Sequence, residues 1–284
     1  IIVVDNGSSD GSVEFLKKNI KIKFIQSPKI SEKNYACNLG VSYASGEFIL
    51  LMDNDLLITD RCLLSELVSE WKSLETCGSI SLAFSDRGSE LTKGYGCYTS
   101  YYYSWEKPEI NNTQLLNTHR SYVGSPNGAG IFIKKELWDE IGGYDDHLSF
   151  GGDDDDLGMR LWMSGYKNYL YAKSIQIHIG QEERTNIDKY SKKLEKKVYA
   201  HLYTTIKNFN FLNALLTIAG YSLFSFAKSV KQSFDRRNIQ PFLSTLKGYY
   251  LFLKNLKFAL NKRKKIKKMR KIKKDIIFNI RPIL

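Results

Sequence analysis

The stretch IIVVDNGSSDGSVEFLKKNIKIKFIQS, residues 1–27, places two short β-branched runs on either side of a turn and one helical segment. Residues 1–5 read as a strand, 6–12 as a Gly/Ser/Asp turn, and 12–19 as a helix with Asp10 or Ser12 as N-cap. Residues 21–27 read as a second strand. Working outward, residues 31–45 carry Tyr35, Leu39 and Tyr43 at four-residue spacing, a helix expected to stop near Gly46. EFILLMDND, 47–55, is an apolar strand that ends in acids, and 60–71 is a helix with Asp60 as its cap. Strand, helix, strand, helix, strand predicts an α/β protein with a mostly parallel sheet. In such sheets ligands sit beyond the carboxyl ends of the strands, where the sequence places Asp5, Asp53 and Asp55.

The chain has 284 residues, 43% of them hydrophobic, enough for a substantial core and too many for a disordered polypeptide. Cys37, Cys62, Cys77 and Cys97 form no CxxC pair and no metal-ligand spacing, which points to reduced thiols in a cytosolic protein. The chain opens inside a strand without an initiator Met, so its natural start is expected to be missing, with an exposed apolar sheet edge as the consequence. Charge is segregated: residues 1–200 hold 23 Lys and Arg against 28 Asp and Glu, whereas residues 201–284 hold 19 against 2. The basicity therefore belongs to the tail and says little about what the front binds.

Two acid clusters suggest chemistry. Asp53 and Asp55 emerge one residue apart from a buried strand, a pattern that suits Mg2+ or Mn2+ shared with substrate phosphates; a solvated turn is the plainer alternative. GGDDDDLGMRLWMSGY, 151–166, sets four aspartates before an apolar helix that stops at Gly165. The helix macrodipole accounts for Asp155 and Asp156. All four behind a double glycine ask for more, because crowded carboxylates repel and resist burial.

Four stretches in order, VVDNGSSDGS, NLGVSYASGEFILLMDND, GAGIFIKKELWDEIGGYDDHLSF and GGDDDDLGMRLWMSGYK, resemble the family 2 glycosyltransferases over about residues 1–180. The resemblance implies the GT-A fold and an inverting, metal-dependent, hexosyltransferase-type transfer from a nucleotide sugar, most simply UDP- or dTDP-linked, with Mn2+ or Mg2+. It implies that Asp5 contacts the base, Asp53 the ribose, and Asp55 the metal. Asn38 matches a polar position near the nucleotide, with a structural role on its helix face as the alternative. Aligned on the family's EDxDL pattern, Asp153 and Asp154 form the acid pair and Asp154 is the general base; Asp155 in the spacer departs from that pattern. His178, 24 residues further on in an alternating strand, resembles the family's histidine metal ligand. Gly128 and Gly130 are expected to leave room for the sugar. The tyrosine-rich residues 95–122 are expected to supply acceptor loops or a packed insertion, and His119, His147 and His201 match nothing.

The tail differs in character. Residues 211–227 are uncharged, near the lower limit for a membrane span, and 262–274 hold ten basic residues in thirteen. Apolar segments followed by a basic amphipathic one favour attachment to an anionic membrane surface through 211–274 over nucleic-acid binding. A helical subdomain packed on the core is the third reading. The expectation is a catalytic domain at 1–205 and a helical, basic, membrane-associating tail at 206–284, peripheral on the cytoplasmic face of the membrane, acting on a glycan or lipid-linked acceptor. A nucleotidyltransferase, or a non-catalytic nucleotide-sugar or membrane-binding module, stays as the rival class.

Overall fold

The computed structural model describes every residue except 30–32, 100–104, 107–108, 119–120, 149–150, 180–186 and 282–284. Parts of the expected helix at 31–45, the tyrosines at 101–103, His119, and Ser149 and Phe150 lie outside the described residues.

The chain begins β1 (Ile2–Asp5), α1 (Ser12–Lys17), β2 (Lys23–Gln26), α2 (Lys33–Ser42), β3 (Phe48–Met52), β4 (Leu56–Leu57), α3 (Leu63–Ser73) and β5 (Cys77–Asp86). A run of small elements follows: β6 (Leu91–Gly94), β7 (Tyr98–Thr99), β8 (Trp105–Glu106), β9 (Ile110–Asn111), α4 (Asn112–Leu116) and β10 (Ser121–Tyr122). Then come β11 (Gly130–Lys134), α5 (Lys135–Ile141), α6 (Asp153–Met163) and β12 (Lys167–His178). Three long helices, α7 (Ile187–Asn208), α8 (Phe211–Asp235) and α9 (Gln240–Met269), and a 3-10 turn (Ile276–Asn279) close the described chain.

The expected local signals act where the sequence puts them. Asp10 Oδ1 accepts the Ser12 N–H at 3.1 Å, although Gly11, at φ 88°, holds the N-cap position of α1. Asp60 Oδ1 accepts the Cys62 N–H at 2.7 Å ahead of α3. α2 ends at Ser42, before Gly46.

β1 and β2 pair in parallel from Ile2↔Lys23 to Asp5↔Gln26, as the crossover pattern predicts. The main sheet runs β10-β12-β5-β11-β3, with β4, β6 and β9 attached at its margins. β12 pairs β5 in parallel, but β11 is antiparallel to both of its neighbours, β3 and β5, so the sheet is mixed. Among the described pairings β3 bonds only to β11 and stands at an edge of the sheet.

Alternation along β11 separates two cores. Phe132 points to the α3 side, stacked on Phe48 at 5.2 Å and packed with Leu63, Leu67, Ile80 and Leu82. Ile131 and Ile133 point the other way, to Val41, Leu137, Trp138, Leu157 and Leu161 of α2, α5 and α6. A third core joins Met159, Trp162 and Met163 of α6 to Val198, Leu202 and Tyr203 of α7, Phe252 and Ala259 of α9, and Phe278.

The tail is thus built into the fold, in line with the packed-subdomain reading, and α7 runs unbroken through the expected division at 205/206. α9 lies close on α7 because Gly248 has no side chain; a Cβ there would stand 2.7 Å from Val198 Cβ. The basic run at 262–274 is partly taken up by the protein. Arg263 donates to the Ile206 and Phe209 carbonyls, Arg270 pairs with Asp275, and the Lys271 and Ile272 N–H groups bond to Met163 O.

Candidate active site

Gly151 and Gly152, at φ 75° and 77°, turn the chain into α6 through left-handed conformations that favour glycine. The four aspartates then occupy the first four positions of the helix, all buried. Successive residues rotate by about 100°, so the four carboxylates diverge and each finds different surroundings. Asp156, fully buried, accepts from Arg160 Nε at 2.9 Å and Asn208 Nδ2 at 2.7 Å, and pairs with Lys207 Nζ at 2.7 Å. Burial works against its charge, but Arg160 and Lys207 outweigh it and hold the carboxyl below its ordinary range. Asp155 Oδ1 accepts the Ser125 hydroxyl at 2.8 Å. Asp154 Oδ2 accepts the Gly128 N–H at 3.1 Å, and its Oδ1 the Asp155 N–H at 3.0 Å. Asp153 and Asp154 both line a cleft of about 740 Å³.

The neighbouring acids are brought in by β-pairing. β4 pairs antiparallel with the end of β12, Leu56 opposite His178, and the Ile179 N–H donates to Asp55 O at 2.8 Å. That register sets His178 Nε2 3.3 Å from Asp55 Oδ2, with Asp86 Oδ1 at 3.6 Å from Nδ1 and the Phe84 ring against the imidazole. One carboxylate and one imidazole, the latter on the wall of the cleft, fit a divalent cation that takes its remaining ligands from phosphate and water. Among the described residues no group of three such side chains is gathered.

Asp53, after its N–H bonds to Ala129 O at 3.0 Å, forms a bidentate pair with Lys33 Nζ at 2.7 and 3.0 Å. Desolvation opposes the Lys33 charge, but Asp53 and Asp153 outweigh it and hold the ammonium above its ordinary range. Lys33 thus balances two acids, Asp53 and Asp153. No motif marks it: it is one lysine in a helix, and only the approach of α2 to the Asp53 turn reveals it. No motif marks Lys207 either, and only the packing of α7 on α6 sets it beside Asp156.

Of the expected site residues, Asp53, Gly128, Asp153, Asp154 and His178 line the cleft, with Asp55 beside His178. Asp5, Asn38 and Gly130 lie outside its lining. The Asp5 carboxylate accepts from the Ser8 and Gly7 N–H groups at 3.0 and 3.3 Å; hydrogen bonding by Ser8, then Gly7, holds it below the ordinary carboxylate value. The Asn38 amide donates to Tyr144 O and Asp146 Oδ1 and accepts the Tyr144 N–H. At Gly130 an added Cβ would lie 2.9 Å from Leu82 Cβ, so the glycine lets β11 pack closely on β5. Gly128 does face the site, 3.3 Å from Asp154 Oδ2 by the same measure. His201 is buried and stacked on Tyr221 at 3.8 Å, and burial pushes its imidazole down to about 3, leaving it neutral.

The fold is the GT-A fold. Residues 1–128 match the family described as Glycosyl transferase family 2. The chain is 28% identical over 149 residues to the O-antigen biosynthesis protein RfbC of Myxococcus xanthus, a match that spans 50% of this chain and 12% of that protein. Among solved structures it resembles the mannosyltransferase PcManGT of Pyrobaculum calidifontis with GDP-Man and Mn2+ (TM-score 0.54, 14% identity, 94% of this chain and 75% of that one). It also resembles S. aureus TarS 1–349 with UDP-GlcNAc (TM-score 0.53, 14% identity, 98% and 81%).

Proposed function

We propose that the protein is an inverting glycosyltransferase that moves a sugar from a nucleoside-diphosphate sugar to a hydroxyl acceptor, with Asp154 as the general base. The observation that carries this reading is the Asp154 carboxylate, 7% exposed, fixed by the Gly128 amide on the wall of the cleft that also holds Asp53 and His178. Inversion needs one carboxylate to take the proton of the attacking hydroxyl, and a base held by two amide hydrogen bonds is already oriented for it. Asp53 and Lys33 receive the ribose and the phosphate side of the donor, Asp153 the sugar, and Asp5 the base. Asp55 and His178 would hold Mn2+ or Mg2+, which when bound supplies Lewis-acid stabilisation to the departing diphosphate. Relatives named for Mn2+, GDP-Man and UDP-GlcNAc support this donor chemistry.

Work in surface polysaccharide or glycolipid assembly is supported by the name of the Myxococcus xanthus relative. Attachment to the inner face of a membrane is supported by the outer surface of α8 and α9. On α8, small and polar residues face the protein, among them Ala214, Thr217, Ser225 and Ser229, while Leu212, Leu223 (78% exposed), Val230 and Phe234 (85%) face outward. The first turns of α9 repeat the pattern with Ser244, Thr245 and Gly248 inward and Leu246, Tyr250 and Leu253 outward, while Phe252 and Ala259 pack on the core. This reverses the ordinary amphipathic helix of a water-exposed surface. By length and composition α8 is long and apolar enough to cross a membrane.

The test is release of nucleoside diphosphate from UDP-, dTDP- and GDP-sugars with Mn2+, alongside Asp55→Ala and Asp154→Asn variants. Asp154→Asn is expected to bind donor yet lose transfer by about 10²–10⁴-fold. Unchanged transfer would sink the base assignment, and release of pyrophosphate would identify a nucleotidyltransferase instead.

A further inference from the structure

His178 shows its two ring nitrogens to different carboxylates. β12 runs parallel to β5 with Gln176 opposite Phe84 and His178 opposite Asp86, and residues two apart on a strand share a face. That register puts Asp86 Oδ1 3.6 Å from Nδ1, while Nε2 faces Asp55 Oδ2 at 3.3 Å. Two ligands bound at about 2.1 Å and near a right angle to one ion stand about 3 Å apart, so Asp55 and Nε2 are spaced to share a cation. Asp86 meets the other nitrogen, whose lone pair points away from that place. Both acids sit on fixed backbone. The Ser89 N–H closes a turn onto Asp86 O at 2.9 Å, with Gly88 at φ 76° inside it. On the Asp55 side, the Thr59 N–H donates to Oε1 of the fully buried Gln176 at 2.9 Å and ties the segment after Asp55 to β12. The Phe84 ring, 5.3 Å from the imidazole and tilted by 30°, packs against it.

We propose that Asp86 is a positioning residue: it accepts the Nδ1–H of His178 and so holds the imidazole in the tautomer whose Nε2 lone pair binds the cation beside Asp55. The proposal rests on the metal reading of Asp55 and His178. A histidine ligand must bring an unprotonated nitrogen to the metal, and a carboxylate on the opposite N–H keeps the proton there, sets the ring plane and makes the ligating nitrogen more basic. Without Asp86, the carboxylate left to draw the ring proton is Asp55, and it draws it to Nε2, the nitrogen that the ion needs. At 3.6 Å the Asp86 contact is longer than a hydrogen bond; closing it takes a movement of about 0.7 Å, which a side chain 61% exposed has room to make.

Electron paramagnetic resonance of Mn2+ bound to the whole chain with UDP tests this through two readouts. The signal of the free ion gives the affinity, and the nitrogen hyperfine coupling reports whether an imidazole is a ligand. Asp55→Ala and His178→Ala serve as references: both are expected to lose affinity, and His178→Ala the nitrogen coupling. If neither changes, the metal reading falls and the proposal with it. Asp86→Ala is expected to weaken Mn2+ binding about 10–100-fold and to diminish the nitrogen coupling, with an unchanged melting temperature because the side chain is exposed. Asp86→Asn, which keeps an oxygen acceptor in that place, is expected to retain the coupling and to lose less affinity. Given references that behave as expected, unchanged affinity in Asp86→Ala overturns the role of Asp86 and leaves the metal pair standing. So does weaker binding with the coupling intact, or an equal loss in Asp86→Ala and Asp86→Asn, since Asp86 would then act only as a nearby negative charge.

Discussion

Lys207 is the residue whose removal should most disturb the floor of the site. Its ammonium is buried, 2.6 Å from Asp145 Oδ2 and 2.7 Å from Asp156 Oδ1, and so joins α7 both to the turn after α5 and to the first turn of α6. Lys207→Met keeps the unbranched stem and deletes the charge, leaving two buried carboxylates. Breaking a buried pair costs about 3–5 kcal/mol. Arg160 still holds Asp156 at 2.9 Å, and Lys262 stands 3.4 Å from Asp145, so the lower end, about 3 kcal/mol, is expected. With a urea slope of about 3 kcal/mol/M for a chain of this size, the midpoint should fall by about 1 M. The pH dependence gives a second reading. Lys207 lowers the folded pKa of Asp145 and joins Arg160 in lowering that of Asp156. The stability this contributes is fully present above the unfolded value of about 3.9 and is lost as pH falls through the folded values. The gap between parent and variant should therefore be constant near neutrality and narrow below about pH 4. A midpoint shift under about 0.3 M, or a gap that widens in acid, would refute the reasoning.

Three further outcomes are expected. In Gly158→Ala the new Cβ would stand 2.4 Å from Ser125 Cβ and 2.5 Å from its Cα; pushing α6 off the backbone at Gly124 and Ser125 should cost about 2–3 kcal/mol, read as a fall in melting temperature, and an unchanged value would show that α6 can shift freely. His201 is held neutral in the fold down to about pH 3 but takes up a proton near 6.5 when unfolded, so stability rises with pH between these values; at pH 5 it should be about 2 kcal/mol lower than at pH 7 on this account. His201→Phe should remove that slope, and an identical slope in the variant would assign it elsewhere. Leu223→Lys/Val230→Lys should leave thermal stability unchanged, because both side chains face outward, and should reduce pelleting with phosphatidylglycerol vesicles. Equal pelleting would mean that α8 does not meet the lipid.

Much of the fold was legible from periodicity and turn chemistry. β1, α1, β2, α2, β3 and α3 stand where the apolar runs and polar breaks put them, because a half-buried strand or helix must show its period in its own residues. Spacing also placed Asp153 and Asp154 at the head of a helix. The direction of β11 was not legible: a buried strand has the same composition whichever way it runs, and only its ladders with β3 and β5 make it antiparallel. Asn38 and Gly130 stand in tight packing contacts, which a polar amide and a missing side chain suit as well as they suit a ligand.

What the sequence by itself determined is the run of elements from β1 to α3, the family pattern and the presence of two acid clusters. Tertiary structure decided how those acids could exist together. It matched Asp156 with Arg160 and Lys207, Asp155 with Ser125, Asp154 with the Gly128 amide and Asp53 with Lys33, partners between 4 and 51 residues apart in the chain. It also turned the apolar faces of α8 and α9 outward and drew part of the basic tail back onto the core. The reason is physical: a buried charge is stable only beside its counter-charge or a donor, and which groups meet depends on helix rotation and strand register that no local stretch of sequence contains.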